Sequence, residues 1–259
     1  MSSHRDKYIR GFSMSIYEYY KKCIVENLSL NQEDMFFKSD PRYNYVLEHV
    51  DFAQGYQYLS LAEEEFAELF SKNKDMIIDL CCQNDKIGKP KKHDFKGFCE
   101  CSPTNLRYLY QSMLVLDFIK AIDIAELNIV EIGGGYGGLC LFMYKLAHLF
   151  ELKINSYVIY DLAEAQDLQY RYLYAHGINI DSIQIKKDCF LISNYAFSEL
   201  PDSVRLNYEK YVIQPYCSNG FLAWNGCELY EFVKNKKIDY IAERPNTHPD
   251  NKYVYFKEN

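Results

Sequence analysis

The second half of the chain predicts an α/β fold built on a doubly wound, mostly parallel sheet. From about residue 100 onward, short apolar runs alternate with helical patterns, which is typical of a parallel sheet covered by helices on both faces. A glycine-rich turn joins the first of these runs to the helix that follows it. The last two runs are separated only by the loop Arg244–Asn251. That loop is too short for a parallel crossover, so we expect the final strand to run antiparallel to its neighbour.

Seven strands and the helices between them account for this half of the chain. The predicted strands are Asn128–Ile132, Ser156–Tyr160, Ile178–Ile185, Phe190–Ser193, Gly220–Trp224, Ile238–Glu243 and Lys252–Phe256. Their apolar, β-branched and aromatic residues favour buried strands. The predicted helices after the first two strands are Leu139–Phe150 and Leu162–His176.

The first half of the chain has helical periodicity instead. Phe12–Leu28 and Leu61–Cys82 are the candidate helices, and a polar, lysine-rich loop, Asp85–Lys96, follows them. Ser102 is a predicted N-cap with Pro103 at the first helical position, opening a helix to about Ile122. We therefore divide the chain into an accessory segment, 1–101, and a ligand-binding domain, 102–259. The segment can be a lid, a wall of the acceptor site or the surface of a homodimer, and the sequence does not choose among these.

Composition excludes several classes of function. The formal net charge is −7, and no strongly basic run exceeds Lys89–Lys92, so the chain lacks the basic surface that nucleic-acid binding requires. No run approaches the roughly 20 apolar residues of a membrane helix. The polar start of the chain does not resemble a secretory leader, so we expect a cytoplasmic protein whose nine cysteines are thiols. His93, Cys99 and Cys101 lack the spacing of common zinc sites, and we expect no metal requirement.

The segment Glu131–Gly138 carries the strongest functional signal. A predicted strand enters a turn with five glycines in six positions, and a helix begins at once. Glycine costs conformational entropy unless the backbone needs its freedom, so a purely structural turn is disfavoured. Gly133, Gly135 and Gly138 also match the spacing of the dinucleotide-binding fingerprint. That spacing alone leaves two ligands open, a nicotinamide dinucleotide and S-adenosylmethionine.

Three further features favour S-adenosylmethionine. Glu131 precedes the first glycine by two residues, where a carboxylate would repel a pyrophosphate and attract an ammonium or sulfonium group. Asp161 ends the next strand, where an acid binds ribose hydroxyls in either cofactor. About 120 residues remain after the loop, enough for a complete class I methyltransferase sheet, whose last strand is antiparallel. We expect cofactor contacts from Glu131, Gly133, Gly134, Gly135, Tyr136, Gly137, Asp161 and Leu162, and from Arg107 and Tyr108, for which packing is the equal alternative.

Four segments resemble the family of putative sugar O-methyltransferases. They are Ser102–Tyr108, Val130–Gly138, Ser193–Glu199 (SNYAFSE) and Asn246–Pro249 (NTHP). The resemblance covers about residues 100–259. It implies a class I, S-adenosylmethionine-dependent enzyme whose acceptor is a sugar, a nucleotide sugar or a glycan of a surface-polysaccharide pathway. The alternatives are a class I methyltransferase for an amine or a phosphate-type oxygen, an NAD(P)-binding protein, and a fold that has lost catalysis.

The candidate catalytic residues follow two later strands. Asn194, Tyr195 and Glu199 come after the fourth predicted strand, so they should face the transferred methyl group, although Glu199 can equally cap a helix or pair with a lysine. His248 lies between the last two strands. Its ordinary pKa of ~6.5 suits a general base for the acceptor hydroxyl. A solvated histidine in a simple turn is the alternative.

Overall fold

The computed structural model describes residues 17–124, 126–180, 185–229 and 236–257. The helices are α1 (17–28), α2 (Pro41–Asn44), α3 (Phe52–Glu65), α4 (Ala67–Lys72), α5 (Lys74–Asp85), α6 (Pro103–Ala121), α7 (Gly138–Leu146), α8 (Ala163–Ala175), α9 (Ala196–Glu199), α10 (Asp202–Tyr208) and α11 (Gln214–Tyr216). The strands are β1 (His93–Asp94), β2 (Glu100–Cys101), β3 (Leu127–Ile132), β4 (Ile154–Tyr160), β5 (Cys189–Asn194), β6 (Cys217–Trp224), β7 (Lys237–Ala242) and β8 (Lys252–Lys257). Short 3-10 turns lie at Gln32–Asp34, Phe37–Ser39 and Ala147–Phe150, and a π turn at Glu209–Ile213.

The predicted doubly wound sheet is confirmed. Its strand order is β4-β3-β5-β6-β8-β7. Strands β4, β3, β5 and β6 are parallel, whereas β8 pairs antiparallel with both β6 and β7. The predicted antiparallel final strand is therefore correct. Because β7 and β6 both oppose β8, β7 points in the same direction as the parallel strands.

The predicted strand count of seven is wrong for the part of the chain that the structure describes, in which this sheet has six strands. The prediction at Ile178–Ile185 accounts for the difference. Residues 181–184 lie outside the described residues, and the flanking residues Ile178, Asn179, Ile180 and Ile185 are not in a strand. Two further strands, β1 and β2, form a separate antiparallel pair.

The predicted helix Leu61–Cys82 is also wrong, because three helices cover this region. Phe66 and Asn73 have φ near −120° with small positive ψ, and each interrupts the helical backbone. The first helix begins earlier than predicted, at a capping box in which Asp51 and Gln54 satisfy each other's backbone N–H groups. Apolar periodicity continued across both interruptions, so it could not locate them.

The N-terminal helices share one apolar core with the sheet. A single cluster of buried residues extends from Tyr20 in α1 to Tyr253 in β8. The guanidinium of Arg171, on α8, donates hydrogen bonds to the backbone carbonyls of Leu28 and Leu30. These contacts hold α1 over the carboxyl edge of the sheet. The division near residue 101 stays a prediction.

Helix α6 leads into the sheet as predicted, with Ser102 at its N-cap position and Pro103 in its first turn. The Ser102 side chain does not cap the helix. Its Oγ instead donates to the buried carboxylate of Asp85 at 2.8 Å, and its N–H donates to the same group at 2.7 Å. Helix α6 is thereby fixed to the end of α5. Among the described helices, none has the length and apolarity needed to cross a membrane.

Candidate functional site

The carboxyl edge of the sheet gathers the polar residues that the topology predicts should meet. Gly133 follows β3, Asp161 follows β4, Tyr195 follows β5, Asn225 follows β6 and Glu243 follows β7. All five strands point the same way, so these residues lie along one edge. Ligand sites of open α/β sheets occur at this edge, outside the carboxyl ends of the strands.

The glycine turn needs its glycines for two reasons. Gly133, Gly135 and Gly137 have φ of 77°, 60° and 92°, which disfavours side chains with a Cβ. Space is also short: a Cβ on Gly133 would lie 2.1 Å from Cβ of Ala196, and one on Gly135 would lie 2.7 Å from Cδ1 of Leu47. The turn therefore packs tightly between the β5–α9 connection and the N-terminal region, and only bare backbone fits there.

Glu131 is a buried carboxyl directly beneath this turn. It is 1% exposed, and its Oε2 accepts a hydrogen bond from the hydroxyl of Tyr157 at 2.8 Å. Burial raises the pKa of Glu131 to about 8, against the opposing effect of the Tyr157 hydrogen bond. A positive ligand group placed beside it would favour its ionised form. The carboxyl is thus suited to bind a cation while losing a proton.

Asp161 connects β4 to the glycine turn. One carboxylate oxygen accepts hydrogen bonds from the N–H of Gly135 and from the side chain of Gln169, both at 3.0 Å, and the other accepts from the N–H of Leu162 at 2.8 Å. Burial raises the pKa of Asp161 to about 6, because it outweighs these hydrogen bonds. The side chain both orders the turn and borders the cavity above it.

A cavity of about 520 Å³ lies over the glycine turn. Its floor consists of predicted cofactor residues, and its opposite wall comes from the N-terminal half of the chain. The floor includes Glu131, Gly133, Gly134, Gly135, Asp161 and Leu162. The opposite wall includes Tyr17, Tyr20, Lys21, Leu47, His49, Gln54 and Tyr58. The volume is in the range of cavities that hold small molecules and cofactors.

Two buried polar atoms in the cavity wall lack a hydrogen-bond partner among the described residues. They are Nε of Arg107 and Oδ1 of Asn194. Arg107 is only 6% exposed, and its Nη2 donates a hydrogen bond to the carbonyl of Leu47 at 3.1 Å. Leaving buried polar atoms unpaired costs free energy. A bound ligand with a negative group near Arg107 and a hydrogen-bond donor near Asn194 would remove that cost.

The β5–α9 connection holds Tyr195 in an uncommon conformation at the cavity wall. Its φ is 66°, although it is not a glycine. The Tyr195 hydroxyl donates a short hydrogen bond to Oε1 of Glu243 and accepts one from Gln111 at 3.4 Å. Glu243 is 1% exposed. Strained, sparsely populated backbone of this kind clusters at functional sites.

Glu243 also organises the loop that follows β7. Its Oε2 accepts hydrogen bonds from the N–H of Thr247 at 2.9 Å, from the Thr247 hydroxyl, and from the Asn251 amide at 3.1 Å. Thr247 consequently lines the cavity. Its neighbour His248 does not line it and is exposed beside Gly226. The loop is thus ordered around Glu243 with Thr247, and not the predicted His248, against the cavity, and the role of His248 as the base stays a prediction.

Two predicted cofactor residues also lie away from the cavity. Tyr136 is fully buried behind the turn, where its hydroxyl accepts a hydrogen bond from Asn84 at 3.1 Å and its ring lies 4.2 Å from Nζ of Lys38. Gly137 is the N-cap of α7 and packs against Leu173. Both residues support the turn from below. The sequence placed them in the loop but could not show which way each one faces.

The other predicted site residues border the cavity. Arg107, Tyr108, Asn194, Tyr195 and Glu199 all line it. Glu199 is exposed at the cavity mouth and accepts a short hydrogen bond from the Asn225 amide. Loss of hydration at its carboxyl raises its pKa, and the Asn225 hydrogen bond opposes that rise.

Sequence reasoning missed Glu243, Thr247, Gln111 and the N-terminal wall. The sequence placed Glu243 at the end of a predicted strand. Its hydrogen-bond partners could not be predicted, because they depend on β7 lying parallel to β6. His49 was missed as well; it lines the cavity, and desolvation together with the charge of Arg107 lowers its pKa to about 4. Among the described residues, no group of three or more His, Cys, Asp or Glu side chains is placed to hold a metal ion.

Comparisons with known proteins find likenesses of low sequence identity among solved structures. No protein-family model matches the chain, and no curated protein matches it. A SAM-dependent methyltransferase from Aquifex aeolicus is 13% identical, with 57% of this chain and 89% of that chain covered and a TM-score of 0.38. The plantazolicin methyltransferase BpumL, in complex with a triazolic desmethylPZN analog and SAH, is 9% identical, with 80% and 97% covered and a TM-score of 0.40. M. capricolum TrmK in complex with S-adenosyl-homocysteine is 14% identical, with 56% and 67% covered and a TM-score of 0.33. With TM-scores below 0.5, these likenesses carry no conclusion about function.

Proposed function

We propose that this chain is a class I methyltransferase that uses S-adenosylmethionine to methylate a hydroxyl of a sugar, nucleotide sugar or glycan precursor. The observation that carries the cofactor assignment is the buried carboxyl of Glu131 beneath the glycine turn, on the floor of the cavity. Beside a pyrophosphate this carboxyl would stay protonated and gain no attraction, whereas an ammonium or sulfonium group would stabilise its ionised form and be attracted to it. The alternative of a nicotinamide dinucleotide is disfavoured for that reason.

The cavity residues fit the parts of this cofactor. Glu131 would attract the positive methionine end, and Asp161 would accept hydrogen bonds from the ribose hydroxyls. Nε of Arg107 has no hydrogen-bond partner within the described part of the chain, and a carboxylate of the ligand would supply one. Tyr108, Tyr160 and Leu162 supply apolar surface around these groups. When bound, S-adenosylmethionine supplies an electrophilic methyl group on a sulfonium centre.

The acceptor class rests on the resemblance of SNYAFSE and NTHP to the sugar-directed family and on the polarity of the remaining wall. Asn194, Tyr195 and Thr247 line the end of the cavity that adjoins β5 and β7. Each offers an oxygen that can accept a hydrogen bond from a hydroxyl. Holding the acceptor oxygen beside the methyl group is the main task of such a site, because methyl transfer is an in-line displacement. An amine acceptor is the nearest alternative.

Thermal unfolding tests the cofactor assignment. S-adenosylmethionine and S-adenosylhomocysteine should raise the Tm, because a ligand that binds only the folded state stabilises it, whereas NAD and NADP should leave it unchanged. Asp161→Ala should weaken S-adenosylhomocysteine binding by roughly 1–3 kcal/mol if ribose hydroxyls lose their partner. Asp167→Ala, at an exposed acid of α8, is the matched control. A Tm rise with a nicotinamide cofactor alone would refute the proposed function.

A further inference from the structure

The group that accepts the proton of a methyl acceptor must lie at the cavity, and His248 does not. A methyl acceptor hydroxyl must lose its proton as the new bond forms, and a general base must lie within hydrogen-bond reach of that proton. His248 is exposed and lies outside the cavity lining. Tyr195 lines the cavity, and its hydroxyl donates to the buried carboxylate of Glu243. The Glu243 carboxylate is therefore connected to the cavity wall through its hydrogen bond with Tyr195.

Resting on the proposed methyl transfer, we propose that Tyr195 and Glu243 together accept the proton of the acceptor hydroxyl, with the Tyr195 phenol as the relay and the Glu243 carboxylate as the final site. The proton of the acceptor hydroxyl passes to Oη of Tyr195 while the phenolic proton passes to Oε1 of Glu243. The acceptor oxygen uses the freed electron pair to bond the methyl carbon. The carbon–sulfur bond breaks with its pair on sulfur, so the positive sulfonium and the negative carboxylate are both neutralised.

The hydrogen bonds of the Tyr195 hydroxyl are compatible with this relay. A phenolic oxygen donates one hydrogen bond and can accept two. The Tyr195 hydroxyl donates to Glu243 and accepts from Gln111, and the Tyr58 hydroxyl, from the same cavity wall, is its third hydrogen-bond partner. The acceptor hydroxyl of a ligand would take the place of Tyr58 at the phenolic oxygen. Gln111 is itself fixed by the Asn194 amide, which donates to its Oε1 at 2.8 Å. The side chains around the phenol therefore fix its orientation at the cavity wall.

Burial and the nearby Arg107 charge determine the protonation of the Tyr195 phenol. Burial raises the pKa of Tyr195 well above its ordinary value, so the phenol stays protonated before the reaction. The Arg107 guanidinium lies 6.0 Å from the Tyr195 ring and favours negative charge on the phenolic oxygen as the protons move. Thr247 and Asn251 donate to the other oxygen of Glu243, which leaves Oε1 turned toward Tyr195.

The competing explanation is that Glu243 only orders its loop. Glu243→Gln alone does not separate the two, because it changes the hydrogen bonds to Thr247 and Asn251 as well. Tyr195→Phe does separate them: it removes the hydroxyl and leaves every loop contact of Oε2 in place. Glu243→Asp keeps the carboxylate and should restore part of the activity. Tyr240→Phe is the matched control, since Tyr240 is 58% exposed on β7, the strand that leads to Glu243.

The experiment measures transfer of a labelled methyl group from S-adenosylmethionine to a panel of UDP-glucose, UDP-galactose, GDP-mannose and dTDP-rhamnose, beside calorimetric binding of S-adenosylhomocysteine. Tyr195→Phe and Glu243→Gln should each lower kcat by about 10²–10⁴-fold with little change in KM or cofactor affinity. The double variant should be no slower than the slower single variant, because the two groups act as one unit. Tyr240→Phe should match the wild-type enzyme.

Near-normal turnover by Tyr195→Phe would overturn the relay and leave Glu243 as a loop-ordering residue. A loss of turnover confined to His248→Ala would overturn it in favour of the histidine. If the wild-type chain binds S-adenosylhomocysteine but methylates none of the panel, the relay and the sugar assignment both fail while the cofactor assignment stands. If it does not bind S-adenosylhomocysteine, the proposed function itself fails.

Discussion

Gly133→Ala is expected to destabilise the folded chain by about 2–5 kcal/mol and to abolish cofactor binding. The left-handed backbone at Gly133 costs an alanine roughly 1–2 kcal/mol. Overpacking adds about 1–3 kcal/mol, because the new Cβ would lie 2.1 Å from Cβ of Ala196. Relief of that contact must move the turn or α9, and both border the cavity. Chemical unfolding and S-adenosylhomocysteine calorimetry measure the two effects.

The chain offers controls that separate backbone strain from the steric contact. Gly177 has nearly the same φ, 73°, and a Cβ there would meet nothing within 4 Å. Gly177→Ala should therefore show the backbone cost alone and leave cofactor binding intact. The double variant Gly133→Ala/Ala196→Gly removes the contacting methyl group, since the next atom met is the Ala196 Cα at 3.6 Å. It should recover binding that Gly133→Ala loses. Equal losses for Gly133→Ala and Gly177→Ala would contradict the steric explanation.

The features that the sequence predicted well are those that depend on neighbouring residues in the chain. The strand, glycine turn and helix around Gly133 follow one another within about a dozen residues, as do β4, Asp161 and α8. The antiparallel direction of the final strand followed from the length of one loop. Local patterns were enough in these places because backbone conformation and chain connectivity decide the structure there.

The features that the sequence missed depend on contacts between distant segments. Glu243 meets Tyr195 only because β7 lies two strands from β6 and points the same way. Whether Thr247 or His248 faces the cavity depends on which of the two Glu243 binds. Neighbouring loop positions face opposite ways, so the sequence could not distinguish them. The breaks at Phe66 and Asn73 interrupt a continuous apolar pattern without a proline or glycine. None of these could be predicted from spacing or composition.

Glu131→Gln should change how stability depends on pH. Burial raises the pKa of Glu131 from 4.5 to about 8, so between these values the folded state holds a proton that the unfolded state has released. Its contribution to stability is therefore greatest at low pH and is lost as the pH rises through about 8, at roughly 1.4 kcal/mol per pH unit. The glutamine side chain of the variant carries no titrating proton. The variant should lose less stability than the wild-type chain between pH 6 and 8, as measured by denaturant unfolding.

The ionisation of Glu131 should make cofactor binding depend on pH in the opposite way to stability, with affinity increasing as the pH rises. In the free protein the Glu131 carboxyl holds its proton at neutral pH, and a bound ammonium or sulfonium group would favour the carboxylate. Binding should then release up to one proton, so the affinity for S-adenosylmethionine should rise by up to about tenfold per pH unit from pH 6 to 8. Asp161, whose pKa is raised only to about 6, contributes at the lower end of this window and little above pH 7.

Calorimetry in two buffers of different ionisation enthalpy measures that proton directly. The wild-type chain should release this proton on binding, and Glu131→Gln should not. At pH 8 the variant should bind the cofactor more weakly than the wild-type chain and should be the more stable of the two. Such a trade between stability and binding is expected where a site keeps a buried, ionisable group for its ligand. Asp167→Ala, which removes an exposed acid of α8, should behave like the wild-type chain in both measurements. Equal proton release by the wild-type chain and Glu131→Gln would mean that Glu131 does not face the positive part of the cofactor. The functional assignment would then have to rest on another carboxyl at the same edge of the sheet.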